Sequence, residues 1–295
     1  MEDGQAIIEA PGAVAFDIHR PAGDVAASPL VFASPHSGRL YPDDMMDAAA
    51  LDAGVIRGSE DVFVDELIGA APGLGVSVIS ARYARAYIDV NREAYELDQG
   101  MFAEVLPEFA RSRTARVAAG LGSIARVVSD GKEIYARKLT FEEARRRIET
   151  AHRPYHAALA GLLAEASERH GFAILVDWHS MPAAAARMAG RGRGGDIVLG
   201  DRFGSSCAPV VTATVERELT ALGYQVARNA PYAGGHTTEH YGRPARRVHA
   251  LQVEINRALY VDEASYSRTA GFDRLREDLA LLTRRLAEVD WRRLR

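Results

Sequence analysis

Ala173-Ile174-Leu175-Val176 runs straight into Asp177-Trp178-His179-Ser180-Met181-Pro182. Four apolar residues without polar alternation predict a strand covered on both faces, and the polar run predicts a loop at its carboxyl end. The pattern recurs on either side. Leu30–Ser34 (LVFAS) meets Pro35-His36-Ser37-Gly38, and residues 250–255 (ALQVEI) are apolar apart from Gln252 and Glu254. Further strands are expected at residues 76–81, 86–90, 196–199 and 225–228. Between them lie stretches with helical spacing. Residues 62–71 have Ser59 as an N-cap candidate, and Thr140-x-x-Glu143 is a capping box opening a helix that breaks near Pro154 and runs on toward Arg169. Residues 207–222 and the amphipathic 272–294 complete the set. Asp130-Gly131, between residues 124–128 and 133–139, reads as a hairpin turn. Strands alternating with helices give an α/β fold with a mixed, largely parallel sheet. Without an internal repeat or a linker, the chain reads as a single domain over 1–295, with a hairpin insertion near 120–140.

The chain has 295 residues, 47% of them hydrophobic and 26% charged, which excludes global disorder. A net charge of −4 argues against a nucleic-acid binder. One cysteine, Cys207, excludes an internal disulfide and a Cys-rich zinc knuckle. No apolar run approaches the ~18 residues of a membrane helix, and Met1-Glu2-Asp3-Gly4 lacks a basic leader. The expectation is a cytoplasmic protein without a membrane partner; its oligomeric state stays open. The glycine-rich stretch 190–195 lacks the Lys-Ser/Thr of a P-loop, residues 183–195 and 231–244 read as loops, and Gly-x-Ser-x-Gly is absent.

Ligands of open α/β sheets collect beyond the strand carboxyl ends. Here those ends carry His36, Asp177 and His179, with Arg85, Asp89, Asn91 and Arg92 around residues 86–90. Two histidines on separate strands are candidate zinc ligands, and a carboxylate is the expected third. Asp61 is the first candidate for it and Glu60 the reserve; acids at a helix start also serve the helix dipole alone. Asp177 is placed to orient His179. Glu254, in an otherwise apolar strand, is either a general base or the partner of Arg257. Arg85 and Arg92 suit a carboxylate or a developing oxyanion.

Several blocks, in order, resemble the N-formylglutamate amidohydrolase family. They are Pro35-His36-Ser37-Gly38, residues 60–67 (EDVFVDEL), 84–92 (ARAYIDVNR), 122–127 (GSIARV) with Ile134-Tyr135, Asp177 through Pro182, 231–244 and 251–260 (LQVEINRALY). The resemblance implies a three-layer α/β/α, zinc-carboxypeptidase-like fold with one zinc per chain, held by two His and one acid. His36 and His179 match the histidine positions. The wider group often has His-x-x-Glu, and here Arg39 stands at the Glu position, so Asp61 is the expected acid. The resemblance further implies Glu254 as catalytic glutamate, Arg85 near the reacting carbonyl, and Asn91 and Arg92 on a substrate carboxylate. Thr237 and Tyr241, in the Gly-rich loop, are expected to add hydrogen bonds to a small N-acyl amino acid. The implied reaction is hydrolysis of N-formyl-L-glutamate to formate and L-glutamate. The alternatives are a related zinc deacylase or peptidase on another N-acyl amino acid, and an inactive small-molecule-binding homologue.

Overall fold

The computed structural model describes residues 14–128, 131–189 and 195–294. Its strands are β1 (Phe16–His19), β2 (Leu30–Ser34), β3 (Ser77–Ala81), β4 (Ala173–Met181), β5 (Ile197–Gly200), β6 (Val226–Arg228) and β7 (Val248–Asn256). The helices used below are α1 (Val64–Leu67), α2 (Phe141–Arg147), α3 (Arg153–His170), α4 (Pro209–Ala221), α5 (His236–Tyr241) and α6 (Gly271–Glu288). The strands form one mixed sheet in the order β1-β3-β2-β4-β7-β5-β6. β2 pairs with β4 and β4 with β7 in parallel, β5 runs antiparallel to β7, and β6 is parallel to β5. This is the α/β architecture expected from the alternation of elements.

The chain divides into two compact units. One comprises residues 18–34, 61–79 and 159–295 and holds most of the sheet. Every residue of β4 is buried, as expected of a central strand covered on both faces. Its even positions, Ile174, Val176 and Trp178, join Leu30 and Phe32 of β2 and Leu251, Val253 and Ile255 of β7 in one apolar core. Phe272, Leu275, Leu279, Leu282 and Leu286 of α6 close on that core at helical spacing. The odd positions of β4, Asp177 and His179, therefore face the other way.

The other unit comprises the stretch ending at Asp17, residues 35–60 and 80–158. Its core gathers Tyr41, Met45, Tyr83, Tyr87, Phe102 and Ile134 among others, from segments with little regular structure. Thr140 caps α2: its Oγ1 accepts from Glu143 N–H, and Glu143 returns the bond to Thr140 N–H at 2.7 Å. Thr140→Ala is expected to cost about 1 kcal/mol, read as a lower urea midpoint with unchanged slope. The interruption expected near Pro154 is a π-helical turn, Ile148–His152, after which α3 runs on to His170. A proline near a helix start leaves i−4 carbonyls without their usual donor, and a wider turn absorbs the mismatch.

Five expectations are corrected. β4 does not end at Val176 but continues through Met181, so Asp177 and His179 lie within a strand. Residues 86–90 form turns, with Tyr87 N–H on Ala84 O and Asp89 N–H on Ser123 O. The helix expected over 62–71 is the single turn α1, because Phe63 sits at φ 62°, in the left-handed region; Ser59 Oγ donates to Ile56 O instead of capping it. The loops expected over 231–244 and 183–195 contain α5 and a single helical turn, Ala183–Ala186, respectively. Among isolated bridges, Val127 pairs with Glu133 where the hairpin was expected; Asp130, Gly190 to Gly194 and Met1 to Gly4 lie outside the described residues. Cys207, just ahead of α4, is buried in the apolar core. No helix among the described residues is long and apolar enough to cross a membrane.

Candidate active site

On the sheet, register places His179 of β4 beside Glu254 of β7, and Asp177 beside Gln252. All four are buried and share the face opposite the apolar core. His179 Nδ1 lies 3.0 Å from Asp61 Oδ2. Its Nε2 lies 3.0 Å from Asp177 Oδ2, at ion-pair distance without hydrogen-bond geometry. Asp61 is reached because Phe63's left-handed backbone turns the chain between Asp61 and α1. The other Asp61 oxygen, Oδ1, accepts from Arg257 Nη2 at 3.2 Å and from Ser180 Oγ at 3.3 Å, while Arg257 Nε donates to Ser180 Oγ. Burial alone pulls the His179 imidazole toward its neutral form. Asp177, Asp61 and Glu254 outweigh burial and raise its pKa well above the ordinary histidine value.

In the other unit, His36 follows β2 by two residues. Its Nε2 lies 2.7 Å from Asp89 Oδ1. Asp89 Oδ1 also accepts from Asn91 N–H at 2.8 Å, and Oδ2 from Arg85 Nη2 at 2.8 Å. Burial would push the Asp89 carboxyl up, but His36, Arg85 and Arg92 hold it well below the usual carboxylate range. An ionised Asp89 only accepts, so the hydrogen bond between them places a proton on His36 Nε2. Arg92 donates to the carbonyls of Leu121 and Asn91, and its own carbonyl meets His152 Nε2 at 2.9 Å. His156 Nε2 lies 2.8 Å from Val90 O. These contacts explain why residues 89–92 turn rather than extend. Glu60 accepts from Tyr41 Oη and Arg57 Nε. Burial pushes its carboxyl up to about 7 against the pull of Tyr41 and Arg57.

His36, Asp61 and His179 are a buried His–Asp–His group that could hold a metal ion. Both histidines fit that use, since each has one ring nitrogen close to a carboxylate, His36 Nε2 at 2.7 Å from Asp89 and His179 Nε2 at 3.0 Å from Asp177, which orients the ring. Asp177→Asn is therefore expected to weaken metal affinity about 10- to 100-fold, measured by competition with a chromogenic chelator. Thr237 is buried on α5 and Tyr241 ends that helix, with its phenol pushed up by burial. The sequence reading did not find two supports: Asp89 as the group orienting His36, and Ser180 and Arg257 on Asp61. The i,i+2 spacing of Gln252 and Glu254 put both on one strand face, as the structure has them, but gave Gln252 no role. Arg257 lies 196 positions from Asp61, beyond any local pattern.

The family model described as N-formylglutamate amidohydrolase matches residues 28–261. The N-formylglutamate deformylase of Pseudomonas putida is 31% identical over 255 residues, covering 85% of this chain and 86% of that protein. The N-formylglutamate deformylase of Pseudomonas aeruginosa is 32% identical over 244 residues, covering 80% and 83%. The crystal structure of N-formylglutamate amidohydrolase from Ralstonia eutropha superposes with a TM-score of 0.87 at 40% identity, covering 93% and 98%. A gene product of Agrobacterium tumefaciens, at 15% identity and a TM-score of 0.59, shares the fold alone. Matched along most of its length, the chain belongs to the N-formylglutamate amidohydrolase family.

Proposed function

We propose that the protein is a metal-dependent amidohydrolase that converts N-formyl-L-glutamate and water to formate and L-glutamate. The observation that carries this reading is the His–Asp–His group, with Glu254 in register with one of its histidines. Membership of the family and the names of the Pseudomonas relatives supply the substrate. His36, Asp61 and His179 would hold the metal, and zinc suits a set of two imidazoles and a carboxylate. When bound, zinc supplies Lewis acidity toward the formyl carbonyl and lowers the pKa of water.

The chain's own groups do the rest. Glu254 accepts a proton from the attacking water and passes it to the departing amine nitrogen. Arg85 stabilises the charge that develops on the carbonyl oxygen. Arg92 and Asn91 hold a substrate carboxylate and position the amide. Thr237 and Tyr241 add hydrogen bonds. Arg257 and Ser180 hold the Asp61 carboxylate in place through its Oδ1.

The test is formate release from N-formyl-L-glutamate beside N-acetyl-L-glutamate and an N-formyl amino acid with a neutral side chain. The reading expects formate and glutamate in equal amounts and a clear preference for the first substrate. A preference for another acyl group or side chain would retain the hydrolase and replace the substrate. No turnover of any amide would overturn the reading.

A further inference from the structure

Gln252 and Glu254 alternate onto the same face of β7. Gln252 is buried and its amide is used at both ends. The Nε2 group donates to Glu254 Oε1 at 2.8 Å, and Oε1 accepts the backbone N–H of Gly235 at 2.7 Å. The orientation follows from chemistry. A backbone N–H only donates, so the amide oxygen must face Gly235 and the amide nitrogen must face Glu254. One oxygen of Glu254 is thereby held as an acceptor, which is what a proton-accepting carboxylate needs.

Gly235 immediately precedes α5, and its carbonyl accepts from Thr238 Oγ1 at 2.9 Å. The approach to that helix has no slack. Gly234 has φ 123°, and a Cβ there would meet Thr238 Oγ1 at 2.5 Å. A Cβ on Gly200, at the end of β5, would meet the carbonyl carbon of Ala233 at 2.7 Å. Gln252 is thus a polar tie between the start of α5, which carries Thr237 and Tyr241, and Glu254.

We propose that Gln252 is a positioning residue with two separable effects. Its NH₂ group orients Glu254 for proton transfer, and its carbonyl oxygen fixes the start of α5 for substrate binding. The proposal rests on the reading of Glu254 as the base. Two variants separate the effects. At pH 8, Gln252→Glu keeps an acceptor for Gly235 N–H but replaces the neutral amide donor with a second carboxyl, so that Glu254 shares a proton with it and no longer stands as a free acceptor. Gln252→Met, of similar volume, loses both.

Gln252→Glu is expected to lower kcat about 10- to 100-fold with KM within about threefold of the parent. Gln252→Met is expected to lower kcat similarly and also to raise KM by about fivefold or more. Thermal unfolding and metal content are read in parallel, and a merely structural role would lower the active fraction in both variants without dividing kcat from KM. In the parent enzyme, amide exchange at Gly235 is expected to be slow, a reading that needs no variant to fold. The proposal fails if Gln252→Glu keeps kcat within threefold, if the two variants change kcat and KM alike, or if Gly235 exchanges like an open loop. Glu254→Gln separates this failure from that of the underlying reading. Loss of turnover there with unchanged kcat in Gln252→Glu rejects the positioning role alone, whereas retained turnover in Glu254→Gln rejects the base and the positioning role with it.

Discussion

Glu254→Gln is expected to keep its metal and lose about 10²- to 10⁴-fold in kcat, the usual contribution of a positioned general base. The substitution preserves size, and glutamine can still meet the Nε2 group of Gln252 through its amide oxygen. It removes only the ability to take and return a proton. The strand should be undisturbed, because Glu254 sits in β7 between Val253 and Ile255, whose side chains belong to the apolar core on the opposite face. KM should therefore change much less than kcat. Stopped assays of formate, with metal content measured on the same sample, decide the matter. Retained turnover would remove Glu254 from the chemistry.

His179→Ala is expected to abolish both metal retention and turnover. His179 sits between two carboxylates, and its loss leaves Asp61 and Asp177 buried without the imidazole between them. Metal content should fall from about one ion per chain to a small fraction of that. The parent protein carries a linked signature. In the metal-free chain Asp177, Asp61 and Glu254 favour a protonated His179 beyond the ordinary histidine range. The ligand form is the neutral ring, so metal uptake must expel that proton. A raised imidazole pKa extends this competition to higher pH. Affinity is expected to fall as the solution is acidified, and uptake in weak buffer near neutrality to release protons. Full metal content in His179→Ala would remove it from the ligand set.

The apolar parts of the sheet were legible because burial on both faces leaves an unbroken hydrophobic run. LVFAS is β2 to the residue, and ALQVEI lies wholly within β7. The polar continuation of β4 misled the reading for the same reason. A run such as Asp177-Trp178-His179-Ser180 looks like a loop when polarity is taken as exposure. Here Trp178 packs in the core while Asp177 and His179 turn to the opposite face, so the strand alternates chemically while staying buried throughout. Residues 86–90 failed in the other direction. Ala86-Tyr87-Ile88 is apolar enough for a strand, but Asp89 is committed to His36 and Arg85, and the backbone turns to satisfy those bonds. The left-handed Phe63, which re-aims the chain after Asp61, leaves no mark in composition or periodicity.

Of the candidate site, the histidines and acids stood out because polar residues next to buried strands are costly without a use. Their supports did not. Arg257 could be seen only as a neighbour of Glu254 in sequence, whereas in the fold it reaches Asp61 across 196 positions. Asp89 looked like one member of a polar cluster, and its contact with His36 spans 53 positions. Such contacts are set by how the strands and turns come together, which a single sequence does not encode locally.

The most direct test of metal-dependent hydrolysis is formate release from N-formyl-L-glutamate by protein stripped with a chelator and then titrated with zinc. Activity is expected to fall to background on stripping and to return in proportion to bound zinc, saturating at about one ion per chain. Full turnover by demonstrably metal-free protein would contradict the account.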